Sequence, residues 1–308
     1  MENGDYTEKA KLLRKAMKGM GTDEKAIIAV TASLTNKERI KVREAFKAEF
    51  NRDLIADFDD ELSYNLKKTI IGLYRTPEEF DAHQLYEAFK GIGTDEDTVS
   101  EVLGTKCNKR MADIKQCYHK MFSESLEVRL DSETSGDYKK LLIGLLQCDR
   151  DESDDVDKDA VESDCRALYK AGEGKWGTDE DTFILIFSNR NSKHLKALNK
   201  FYEAQYHKGL MNIIDKEFSG DIKVLLKTIM QFHLDPDIYY ANRIYKACKG
   251  WGTDDSTLIR VLITVSNDYS MKKLDETYNQ LYNMTLEYQI KDETSGDYKL
   301  ILLSLVKH

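Results

Sequence analysis

The sequence has few residues that interrupt helices and no segment that could cross a bilayer. Only two prolines occur in 308 residues, and segments with the apolar periodicity of helices fill most of the chain. That combination predicts an all-α protein. No apolar run approaches the roughly 20 residues that a transmembrane helix needs.

Basic residues are in deficit. The formal net charge is −9, which argues against a nucleic-acid-binding protein, because phosphate neutralisation requires surplus Lys and Arg. It also argues against simple electrostatic docking on an anionic membrane. The five cysteines form no C-x-x-C pair, and the first 17 residues lack the apolar core of a signal peptide. We therefore expect a cytoplasmic protein with reduced thiols.

The chain does contain two motifs that each occur four times. The first is found in MKGMGTDE from residue 17, FKGIGTDE from 89, GKWGTDED from 174 and CKGWGTDD from 248. The second is found in DDELSYN (59–65), DSETSGD (131–137), DKEFSGD (215–221) and KDETSGD (291–297). The glycine before each Thr-Asp precedes a glutamate of the second motif by 40, 40, 40 and 41 residues. A single GxGT arises by chance, whereas four copies in register with a glutamate indicate a repeated site.

Each repeat is predicted to contain five helices. In the first, Thr7 caps the first helix, Thr22–Glu24 begins the second and Asn36 the third. A short fourth helix covers 53–58 and an apolar fifth covers 66–73. The predicted boundaries are a short head at 1–6 and repeats at 7–75, 79–149, 160–232 and 237–308.

Pro77 and Pro236 lie in the predicted links between repeats, and an acidic segment, 148–165, separates the second repeat from the third. This segment contains DRDESDDVDKDA, which invites comparison with an EF-hand. The sixth and twelfth positions of such a loop require Gly and Glu but hold Asp154 and Ala160. We therefore interpret it as a solvated linker.

The G-x-G-T-D loops, the glutamate about 40 residues later and the segment LYKAGEGKWGTDED resemble the annexin family over nearly the whole chain. The resemblance implies four five-helix repeats in a slightly curved disc, with calcium loops on the convex face. It also implies a calcium-dependent phospholipid-binding protein that acts peripherally in membrane organisation, trafficking or membrane–cytoskeleton linkage. A cytoskeleton-associated structural protein is the alternative. No nucleophile–base pair or phosphate-cradling loop stands out, so we do not expect an enzyme.

The same resemblance implies four Ca²⁺ sites, each made of three loop carbonyls and one glutamate. The sets are Met17, Gly19, Gly21 and Glu61; Phe89, Gly91, Gly93 and Glu133; Gly172, Lys175, Gly177 and Glu217; and Cys248, Gly250, Gly252 and Glu293. The longer fourth interval makes Asp292 a competitor of Glu293, and the glutamates could instead cap helices. Five protein oxygens leave roughly two calcium positions open. A phospholipid phosphate in those positions would join an acidic protein to an anionic membrane.

The apolar residue before the last loop glycine is Met20, Ile92, Trp176 or Trp251, and both tryptophans of the chain are in this set. If the loops face a membrane, these tips enter the headgroup region, which suits an indole ring. The alternative is that they fold back onto neighbouring helices.

Overall fold

The structure is a computed structural model that describes residues 3–174, 176–250 and 252–307. The described residues form twenty helices and no strands, which confirms the all-α prediction. The first set of five is α1 Asn3–Ala16, α2 Glu24–Ala32, α3 Asn36–Phe50, α4 Leu54–Glu61 and α5 Tyr64–Leu73. The second is α6 Pro77–Ala88, α7 Glu96–Gly104, α8 Asn108–Phe122, α9 Leu126–Glu133 and α10 Gly136–Leu146.

The second half of the chain repeats this order. The third set is α11 Lys158–Ala171, α12 Glu180–Asn189, α13 Ser192–Tyr206, α14 Leu210–Glu217 and α15 Gly220–Leu234. The fourth is α16 Pro236–Cys248, α17 Asp255–Asp268, α18 Met271–Tyr282, α19 Leu286–Glu293 and α20 Gly296–Val306.

Several helix ends differ from the prediction. Thr7 is not an N-cap, because α1 already begins at Asn3, inside the predicted head. Pro77 and Pro236 are the first residues of α6 and α16 rather than parts of links. The first helical position suits proline, since its N–H would have no partner within the helix. The short α4 is capped by the Asp53 carboxylate and continues to Glu61, beyond its predicted end.

One compact unit contains the residues up to Phe80 together with those from Tyr240 onward. Within it, α2 and α5 pack against α20, and α5 also packs against α17. The approach of α5 to α17 is close: a Cβ on Gly72 would lie 2.7 Å from Cδ1 of Ile263. The first and fourth repeats therefore share one core.

The other compact unit runs from Asp81 to Tyr239. In it, α7 packs against α15 and α10 against α12, so that the second and third repeats share a core.

The acidic linker is solvated only in part. Residues 151–159 are exposed, but Arg150 is buried and donates to the carbonyls of Phe187 at 2.7 Å and Arg190 at 3.0 Å. The Asp151 N–H donates to the carbonyl of Asn189 at 2.8 Å. The prediction of a solvated linker is confirmed for residues 151–159 and wrong for Arg150, because the last carbonyls of a helix lack intrahelical partners and accept these donors.

Candidate calcium sites

Each loop between the first two helices of a repeat depends on glycine for its backbone path. In the first loop Gly19 has φ +124° and Gly21 has φ +90°, a region that side chains with a Cβ rarely adopt. The same conformation recurs at Gly91, Gly93, Gly177, Gly250 and Gly252. These turns allow successive carbonyls to converge.

The same backbone hydrogen bond closes every loop. The N–H of the loop aspartate donates to the carbonyl of the alanine that precedes the loop. The pairs are Asp23–Ala16 at 2.9 Å, Asp95–Ala88 at 2.9 Å, Asp179–Ala171 at 2.7 Å and Asp254–Ala247 at 2.8 Å. The third loop is one residue longer than the others, which accommodates its different sequence, AGEGKWG.

The loop threonine and aspartate have separate roles. The aspartate starts the second helix: Asp23, Asp95 and Asp254 accept hydrogen bonds from the N–H groups of Ala26, Thr98 and Thr257. The threonine hydroxyl instead donates to Oε2 of the distant glutamate in every repeat. The distances are 2.7 Å for Thr22–Glu61, 3.3 Å for Thr94–Glu133, 3.0 Å for Thr178–Glu217 and 2.6 Å for Thr253–Glu293. This contact brings each predicted carboxylate to its loop.

The four glutamates are not helix caps of the usual kind. Glu61, Glu133, Glu217 and Glu293 are the last residues of α4, α9, α14 and α19. A helix C-terminus carries a partial negative charge, so a carboxylate there is unfavourable for the helix. The Thr253 bond also distinguishes Glu293 from its competitor, since Asp292 is exposed to solvent.

In three of the four repeats, the side chain at the start of the loop anchors the loop to the core. Met17, Phe89 and Cys248 are buried, so the backbone oxygens next to them are fixed by packing. In the third repeat Gly172 takes this place, and a Cβ on it would lie 3.2 Å from Cγ of Glu217. Lys175 of the same predicted set lies outside the described residues.

The second repeat differs from the others because a guanidinium lies between loop and carboxylate. Arg129 Nη2 donates to the Phe89 carbonyl at 2.8 Å and lies 3.2 Å from Oε1 of Glu133. Two predicted ligands of a metal ion are thus already joined by a cation of the protein. Neither the motif nor its spacing indicates this contact.

Three of the four predicted loop tips are fully exposed. The relative exposures of Met20, Ile92 and Trp176 are 106%, 109% and 102%. These side chains therefore do not fold back onto neighbouring helices. Trp251 lies outside the described residues.

The oxygen ligands predicted for the first and fourth loops fit Ca²⁺, which binds carbonyl and carboxylate oxygens in a flexible geometry. One carboxylate reaches each loop, and no cluster of three or more His, Cys, Asp or Glu side chains able to hold a metal occurs among the described residues. In the third repeat, Gly172 and Glu217 are adjacent, as this fit requires. The second set does not fit while Arg129 occupies it. Within the described part of the chain, no helix is long and apolar enough to span a membrane.

Comparison with known proteins agrees with the repeat pattern. The sequence model of the Annexin family matches residues 8–73, 80–145, 163–229 and 239–305. Annexin A13 of dog is 40% identical over 302 residues, covering 98% of this chain and 95% of its own length. Human annexin A7 is 40% identical over 304 residues, but the chain spans only 62% of that protein's length.

Solved structures agree in fold. Annexin III superposes with a TM-score of 0.95 at 35% identity, covering 98% of this chain and 94% of the other. Chicken annexin V, solved in complex with Zn²⁺, gives a TM-score of 0.90 at 38% identity, with coverages of 98% and 95%. An annexin designated (Sm)1, solved with calcium bound, gives 0.85 at 28% identity, with coverages of 98% and 90%.

Proposed function

Because this chain belongs to the annexin family, whose members bind membrane phospholipids in a calcium-dependent way, we propose that it docks peripherally on anionic membranes through Ca²⁺ bridges. Annexins are generally non-enzymatic, and we assign this chain no catalytic role. We further propose a cytoplasmic protein that moves onto membranes when calcium rises and there acts in membrane organisation or trafficking.

The observation that carries the proposal is the threonine–glutamate hydrogen bond that recurs in all four repeats. It holds one carboxylate against a glycine-rich loop from a position about 40 residues away in sequence. Three carbonyls and a bidentate carboxylate supply five of the six to eight oxygens that Ca²⁺ takes. A lipid phosphate is suited to the remaining positions.

The charge balance supports an anionic group as the third component of the site, beside the protein and the Ca²⁺ ion. A single carboxylate leaves a bound Ca²⁺ with a net positive charge, although the whole chain carries −9. A bound ion then makes the local charge at each loop positive, whereas the protein's own lysines and arginines leave the whole chain negative. We therefore propose that calcium affinity is weak in free protein and rises when anionic lipid is present.

The test is co-sedimentation with phosphatidylserine vesicles across a calcium titration, with phosphatidylcholine vesicles and excess chelator as controls. The quadruple variant Glu61→Gln, Glu133→Gln, Glu217→Gln, Glu293→Gln keeps side-chain size but removes the charge and bidentate grip. Its calcium midpoint should rise by about tenfold or more, because ligand charge tunes calcium affinity. Helical circular dichroism should be unchanged.

The matched control is Asp60→Asn with Asp292→Asn, since these exposed carboxylates directly precede two of the glutamates. Their removal should leave the midpoint within about twofold of wild type, as expected for solvent-screened charges. Wild-type binding that persists in excess chelator would rule out the calcium bridge. An unchanged midpoint in the quadruple variant would rule out the glutamates as ligands.

A further inference from the structure

We infer that Arg129 acts as a built-in cation that closes the second repeat's site, so that this repeat has the lowest calcium affinity of the four. The inference rests on the proposed function, since it concerns the same class of site. It predicts which loop stays closed when the others bind Ca²⁺.

The contacts of Arg129 join the same two ligand types that Ca²⁺ would join. Its Nη2 donates at 2.8 Å to the Phe89 carbonyl, the first oxygen of the loop, and lies 3.2 Å from Oε1 of Glu133. Calcium would need both oxygens at 2.3–2.6 Å. The guanidinium and the ion therefore cannot bind these two oxygens at the same time, and calcium binding must first break a charge-assisted contact.

The position of Arg129 has a different chemistry in each repeat. It lies one helical turn before the glutamate, where the other repeats carry Asp57, Ile213 and Gln289. Asp57 is buried and held by Arg52 at 2.7 Å and by Arg14 at 3.4 Å. Ile213 is fully buried in the core.

The fourth repeat places a neutral amide at this position. Gln289 Nε2 donates to Oε1 of Glu293 at 3.3 Å, while its own Oε1 accepts from the Tyr278 hydroxyl at 3.0 Å. An amide can turn away from a carboxylate without leaving a charge behind. Only the second repeat has a formal positive charge at this position.

The first and second repeats carry opposite charges at this position and at the position five residues before it. In the first repeat Arg52 stands five residues before Asp57, whereas in the second Glu124 stands five residues before Arg129. The reversal puts the cation on the helix that ends at Glu133, with the loop carbonyl within reach. Displaced by Ca²⁺, the guanidinium would still repel the ion from nearby.

A lysine near the third site provides an internal comparison. Lys216 Nζ lies 3.2 Å from Oε1 of Glu217 and 3.6 Å from Oε1 of Glu173, so both contacts are to carboxylates. Its side chain is 59% exposed, against 31% for Arg129. A flexible, solvated ammonium leaves the carboxylate at little cost.

The experiment isolates one site at a time in the whole 308-residue chain. The background Glu61→Gln, Glu217→Gln, Glu293→Gln keeps only the second glutamate, and Arg129→Gln is added to it. Calcium binding is measured by equilibrium dialysis with ⁴⁵Ca²⁺ and by co-sedimentation with phosphatidylserine vesicles. Removing a charged hydrogen bond should lower the calcium midpoint by about tenfold or more. Arg129→Lys keeps the charge but loses the planar fork, so its calcium midpoint should lie between those of the background and of the Arg129→Gln variant.

The matched control keeps only the third site, through Glu61→Gln, Glu133→Gln, Glu293→Gln, and adds Lys216→Gln. Its midpoint should change by less than about twofold. Melting followed by circular dichroism checks that every variant is folded. If Arg129→Gln and Lys216→Gln have equal small effects while wild type binds vesicles, the inference is wrong and the proposed function stands. If wild type itself shows no calcium-dependent binding, the proposed function is wrong.

Discussion

At the scale of single residues, Trp176 is an indole that the fold leaves entirely in water. Burying it in the headgroup region would remove apolar area from water at roughly 25 cal/mol per Å², or about 1–2 kcal/mol after ordering costs. Trp176→Ala should therefore raise the calcium midpoint for vesicle binding several-fold without abolishing binding. Leu185→Ala, which removes an exposed apolar side chain outside the loops, should have no effect.

Trp251→Phe leaves Trp176 as the only tryptophan, so that fluorescence reports this one loop. With phosphatidylserine vesicles and calcium together, emission should shift to the blue and resist an aqueous quencher. Emission and quenching that stay the same in the bound state would show that the third loop does not reach lipid.

At the scale of helices, α15 carries a half-buried histidine, His233, whose ring is under the electrostatic influence of two cations. Burial first, and then Arg150 of the linker and Lys196 of α13, lower the pKa of His233 to about 3. Ser192 Oγ lies 2.6 Å from Nδ1 of His233, within hydrogen-bond distance of the neutral ring. The unfolded chain has an ordinary histidine pKa near 6.5, so between about pH 3 and 6.5 it binds a proton that the folded protein does not.

The contribution of His233 to the free energy of unfolding should consequently be greatest above pH 6.5 and fall as the pH is lowered through that value. Stability lost through His233 should amount to about 1.4 kcal/mol per pH unit below that value, and so to about 1.4 kcal/mol between pH 7.5 and 5.5. Urea unfolding of wild type and His233→Gln in chelator measures this, since the other histidines cancel in the difference. Parallel pH profiles of the two proteins would contradict a histidine that stays neutral in the folded protein.

The elements also show what sequence patterns could and could not predict. Spacing alone predicts the positions of the loops and glutamates. The positive φ angles of the loops require glycine, and each glutamate follows its loop at a nearly constant interval, so both are visible in the sequence. The pattern predicts Thr22 and its equivalents only as parts of helix caps and not their contact with the glutamates, although the recurrence of threonine before every loop aspartate is a signal of it. Arg129 lies outside both motifs. Only a comparison of all four repeats at the position four residues before each glutamate identifies it.

At the scale of the whole molecule, the two compact units differ in continuity. The unit from Asp81 to Tyr239 is one stretch of chain, so a fragment of that range should be helical and melt cooperatively. A fragment of residues 1–80 should not, because α2 and α5 would lack the α17 and α20 surfaces on which they pack. Circular dichroism melts measure both, and co-expression of 1–80 with 240–308 should restore cooperative folding. A cooperative melt of 1–80 alone would contradict the shared core.

The divided unit also sets an order of events during synthesis. The first repeat leaves the ribosome before the other three, yet the helices that cover its apolar faces are translated up to about 230 residues later. At roughly 5–20 residues per second, it waits on the order of ten to fifty seconds for its partner. The middle repeats can complete their core in that interval. A nascent chain therefore presents the face of α2 to chaperones until α20 is made, and a stop codon before α20 would leave that face uncovered permanently.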